Sequence, residues 1–69
     1  DIAAERARLD KAIQKAGGDM QRVEAKLANS QFVDNAPPAV VAREREKLLA
    51  IGQELGQLQE QLSRLARLG

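Results

Sequence analysis

The chain has 69 residues, 43% of them apolar and 30% charged, with one aromatic residue, no Cys and no His. Those absences exclude zinc fingers, thiol chemistry, imidazole bases, Ser-His-Asp triads and disulfide-stapled secreted scaffolds. Eleven Lys and Arg against ten Asp and Glu leave a net charge of +1, so any nucleic-acid affinity has to come from local clustering of cations.

The carboxylates form no Gly-containing calcium loop, and no metal site is expected. No apolar run approaches membrane-spanning length, so no membrane contact is expected. No targeting segment is legible either, which sets the expectation of a cytoplasmic protein. The sequence starts at Asp1 without an initiator Met, as a module excised from a larger chain would.

In the first segment Leu9, Ile13, Ala16, Met20, Val23 and Leu27 are spaced alternately by four and three residues. This heptad pattern predicts a helix over about 2–29, with Ile13, Met20 and Leu27 at a positions and Ile2, Leu9, Ala16 and Val23 at d. Arg6 is then the one charged a residue. Gly17 and Gly18 lie inside this helix, each costing roughly 0.5–1 kcal/mol relative to Ala. The Ala-Gly-Gly-Asp stretch lacks the spacing and the Gly-Lys-Ser/Thr ending of a phosphate-cradling loop.

An irregular loop is expected over about 30–36. Asn29 would end the first helix in a left-handed conformation, and Pro37-Pro38 would open the second. Phe32 and Val33, the large apolar groups at the tip, are expected to pack over Leu27, Val40 and Val41. A partner contact by Phe32 is the sharper alternative.

The second helix is expected over about 37–68, with Val41, Leu48, Leu55 and Leu62 at a, Ile51, Leu58 and Leu65 at d, and Glu44 as the odd d residue. Helices of about 28 and 31 residues would be roughly 40–47 Å long. The short connection requires an antiparallel return. The expectation is therefore an all-α protein, an antiparallel two-helix coiled-coil hairpin forming a single domain over 1–69. Its register pairs Ala16 with Leu55 and Met20 with Ile51, and places Gly17 opposite Gly52, where both helices would soften.

Arg8, Lys15 and Arg22 recur every seven residues at c positions, with Lys11 and Lys26 beside them; Arg43 and Lys47 add charge near the loop. The same register sets Lys26 near Lys47, a like-charge pair, and Glu24 near Arg45, a compatible one. A basic patch of Lys15, Arg22, Lys26, Arg43 and Lys47 results, diluted by Asp19 and Glu54. Such a patch reads either as a solvated face or as a phosphate-contacting surface that fixes orientation without reading sequence. No catalytic constellation is present.

Residues 26–48 read K-L-x-N-x-x-F-V-x-x-A-P-x-x-V-V-x-x-E-R-x-K-L, from Lys26-Leu27 through Phe32-Val33, Ala36-Pro37 and Val40-Val41 to Glu44-Arg45 and Lys47-Leu48. This resembles the C-terminal coiled-coil arm of bacterial-type valyl-tRNA synthetases; the flanking helices match only in heptad character. The resemblance implies a parent class I ligase that uses ATP and Mg to attach valine to its tRNA. It also implies an arm that reaches the outer corner of the tRNA, where the D and T loops meet. No cofactor is expected in the chain itself, and neither class I ATP-binding signature is present. The partners implied are a valine-accepting tRNA and the remainder of the synthetase, with the arm monomeric. On that resemblance Lys26, Arg45, Lys47 and Phe32 are tRNA-binding candidates, joined from the patch by Lys15, Arg22 and Arg43.

Two alternatives stand beside it. One is the nucleic-acid-binding or ribosome-associated hairpin of an ATP-binding-cassette protein. The other is a structural module that dimerises through exposed apolar residues such as Leu49 and Leu68.

Overall fold

The computed structural model describes residues 1–68, and the described chain is helical throughout apart from short junctions. Helix α1 spans Ile2–Ala28, α2 spans Ser30–Asn35 and α3 spans Pro38–Leu68. The long helices pack against each other as an antiparallel hairpin, and α2 packs on α1 at the tip. The result is a rod with principal extents of 49 × 14 × 13 Å.

Each helix begins where local chemistry satisfies its free amides. The Asp1 carboxylate accepts from the Ala3 amide at 3.1 Å and caps α1. The Asn29 side chain accepts from the Gln31 amide at 3.0 Å and caps α2. Pro38 is the first residue of α3, where its missing N–H costs nothing, and the Pro37 carbonyl accepts from Val40 and Val41 at 2.9 and 3.2 Å.

The tip differs from the irregular loop expected over 30–36. One short helix fills it, because Asn29 is extended (φ −83°, ψ 109°) and not left-handed. An extended Asn turns the chain sharply while leaving its side chain free to start α2, so one residue ends the first helix and begins the next. Ala36 is also extended (φ −75°, ψ 148°), the conformation that a following proline imposes, and α2 stops there. Phe32 and Val33 are half-buried, and Val33 lines a cleft together with Val41.

Leu9, Ala16 and Val23, three successive d residues of α1, are buried, as is Val41 of α3. The other seam residues from Ile13 to Leu65 are half-buried, because two helices shield their shared seam from one side only. The glycines break neither helix. A Cβ at Gly17 would meet nothing within 4 Å, and one at Gly52 would lie 3.8 Å from the Met20 methyl. The Met20 methyl beside Gly52 agrees with a register that sets Met20 near Ile51.

Candidate nucleic-acid interface

At the tip-proximal end of the rod, Lys26 projects from the last turn of α1 and Lys47 from α3. Their ammonium groups converge on one acceptor: Lys26 Nζ and Lys47 Nζ each lie 3.6 Å from Glu44 Oε1. Glu44 is the odd d residue of the second seam, and its side chain is only 12% exposed. It sits where a leucine would ordinarily be, which is why its carboxylate can touch side chains from both helices. Its second oxygen, Oε2, is buried without a hydrogen-bond partner.

Lys26 is held by two further interactions. Its Nζ lies 5.7 Å from the centroid of the Phe32 ring, within reach of the negative face of the π system. Its place in the last turn of α1 also puts a cation beside the carbonyl end of the helix. Half-buried Phe32 thus forms a wall for Lys26.

Arg22, one turn before Lys26, completes a cleft of about 470 Å³ lined by Asp19, Arg22, Val23, Lys26, Glu44, Lys47 and Ile51. Three cations face two carboxylates there, so the cleft is net positive. Arg22 forms an ion pair with Asp19 at 3.3 Å, and its Nε donates to the Gly18 carbonyl at 3.4 Å. With its side chain 79% exposed, the guanidinium remains open to solvent.

The structure therefore brings Arg22, Lys26, Phe32 and Lys47 together. Lys15 lines the adjoining cleft with Asp19 and Ile51, further down the same flank. Arg43 precedes Lys47 by one helical turn and shares its face of α3. Arg45 stands apart: it lines a different cleft with Val33, Asp34, Ala36, Pro38 and Val41. No ion pair joins it to Glu24 among the described residues, since both are exposed and water serves them as well as each other.

Two residues of the cluster were not legible as members. The heptad reading treated Glu44 as a flaw in the seam and Asp19 as a diluting charge. The usable signal was an acid at a d position flanked by lysines at the two facing g positions, the arrangement in which that acid can reach both.

Far from the tip, Glu5 and Arg8 pair on the surface of α1. The Arg8 hydrogen bond holds the Glu5 carboxyl below its usual range, and Glu5 in turn raises Arg8. Arg8 is thereby engaged within its own helix and does not extend the cluster.

Gly17 and Gly18 lie inside a continuous helix and form no phosphate-cradling loop. Among the described residues no three carboxylates converge on a cation-sized space. No described helix is long and apolar enough to cross a membrane.

The chain is 46% identical over its whole length to a valine–tRNA ligase of Agrobacterium fabrum. It is 54% identical over 65 residues, 94% of the chain, to one of Bradyrhizobium diazoefficiens, and 58% identical over 48 residues, 70% of the chain, to one of Francisella tularensis. It spans 7% of the length of the first two relatives and 5% of the third. No solved structure gives a significant match. The family model described as the valyl tRNA synthetase tRNA binding arm matches residues 1–66, which takes in α1, the charged tip and all but the last two residues of α3, and the chain belongs to that family.

Proposed function

We propose that this hairpin is the arm by which a valine–tRNA ligase holds its tRNA, docking its charged flank against the outer corner where the D and T loops meet. The observation that carries the reading is the convergence of Lys26 and Lys47, with Arg22 alongside, on one flank near the tip of a 49 Å rod. Membership of the arm family supports it. An A-form helix hides its major groove from side chains, leaving shape, phosphates and exposed loop bases as handles. Cations spread along a thin rod suit those handles, and Lys15 and Arg43 extend the same flank.

The parent would carry out the ATP- and Mg-dependent attachment of valine, with catalytic residues outside this chain. The arm adds a second contact remote from the chemistry, raising the effective concentration of tRNA at the catalytic site and fixing its orientation. It acts as a monomer in the cytoplasm, joined to the remainder of the synthetase. The proposal is tested by comparing intact and arm-deleted full-length enzyme. Deletion should raise the apparent KM for tRNA, most at low salt and less as salt screens the phosphate contacts, and leave ATP-dependent valine activation nearly unchanged. An unchanged KM for tRNA would refute the reading.

A further inference from the structure

We propose that Glu44 is a positioning residue that joins Lys26 and Lys47 into a single clamp for one backbone phosphate of the tRNA, an inference that rests on the tRNA-binding reading above. Glu44 is poorly explained as a stabilising residue. A carboxylate at a d position is drawn out of water, and partly buried ion pairs seldom stabilise a protein more than an apolar side chain of similar size. Oε2 adds to the cost, since it is buried without a partner.

The geometry gives Glu44 another role. Two ammonium groups that each lie 3.6 Å from the same oxygen are at most twice that distance apart, although they belong to different helices. Without the shared carboxylate, two facing cations repel, and each long side chain regains its rotamer freedom in solvent. With it, both are held in advance on one side of the tip, and the Phe32 ring limits Lys26 further.

An ammonium group has three N–H donors. Glu44 engages each lysine while leaving donors on both free for another acceptor, and the lysine side chains remain 47% and 55% exposed. A phosphodiester carries one charge shared over two non-bridging oxygens, so a single phosphate can accept from both lysines. Holding the donors beforehand lowers the entropy lost on binding.

Simple charge counting and positioning predict opposite signs. If the cluster acted only through net charge, removing a carboxylate would tighten tRNA binding. If Glu44 positions the lysines, its loss weakens binding and uncouples them. The test is a double-mutant cycle in the full-length enzyme, measuring affinity for a valine tRNA transcript at fixed salt. Lys26→Ala, Lys47→Ala and the double variant are compared in the native background and again with Glu44→Leu. Leucine is at home in the seam, so the hairpin persists; Glu44→Gln, which keeps the shape, serves as the second variant.

In the native background the double variant should lose about the same affinity as either single one, a departure from multiplicativity of at least about threefold. With Glu44→Leu the lysine effects should multiply independently, and Glu44→Leu alone should weaken binding severalfold; Glu44→Gln should change both in the same direction. Independent lysines in the native background, coupling that survives Glu44→Leu, or tighter binding by either Glu44 variant would overturn the clamp. Arm deletion is the reference. If it weakens tRNA binding while the lysines prove independent, the clamp alone fails. If it changes nothing, the tRNA-binding reading fails and takes the clamp with it.

Discussion

Lys26, in the last turn of α1, and Lys47, in α3, each lie 3.6 Å from one oxygen of Glu44. The seam of the hairpin is thus interrupted near its tip by a carboxylate that ties the two helices together through their cations. For stability this exchange is unfavourable compared with apolar packing. Glu44→Leu should raise the unfolding free energy of the chain by about 1–2 kcal/mol, read from thermal unfolding followed by far-ultraviolet circular dichroism. An unchanged or lowered melting temperature would mean that the two ion pairs repay the burial of the carboxylate.

Leu9 is the one fully buried large side chain among the described residues, at 1% exposure. Leu9→Ala should cost about 2–4 kcal/mol. Because Leu9 lies toward the open end of the hairpin, hydrogen exchange should show the loss there before it reaches α2.

Gly17 and Gly56 sit in helices with open space where a Cβ would be. Neither has a positive φ. Gly17→Ala and Gly56→Ala should therefore each stabilise the chain by about 0.5–1 kcal/mol, additively, since neither introduced methyl meets a neighbour. Chemical denaturation of the single and double variants checks both the size and the additivity.

Asn29 ends α1 with its backbone and starts α2 with its side chain. Asn29→Ala should cost about 1 kcal/mol, and Asn29→Asp should restore most of it by keeping the acceptor. The loss should appear as faster amide exchange at Gln31 and its neighbours, with α3 unaffected.

The Glu5 carboxyl is held below its usual range, chiefly by the Arg8 hydrogen bond. Its folded value is depressed, so its contribution to stability is present above the ordinary glutamate value and is lost as pH falls through the folded one. Both side chains are exposed, so the effect is small and weakens with salt. Thermal unfolding of the native chain should fall more steeply on acidification than that of Glu5→Gln, and the difference should shrink in high salt.

Much of this protein is written in local pattern. The alternation from Leu9 to Leu27 and from Leu48 to Leu65 fixes two helices with one apolar stripe each, and the short connection forces them antiparallel, because neither inference needs anything beyond spacing and chain reach. The tip motif carries the family by resemblance, through the combination of its turn residues and charges over 26–48. Tertiary structure decided the rest. Asn29 had enough local information to break a helix, but whether it turned left-handed or extended depended on where α3 had to return, and the extended form allowed α2 to fill the tip. Glu44 and Lys47 share one face of α3, three residues apart, but Lys26 and Phe32 come from other helices. Lys26 reaches Glu44 only when the hairpin closes, so the shared acceptor for both lysines is disclosed only once the opposite helix is in place.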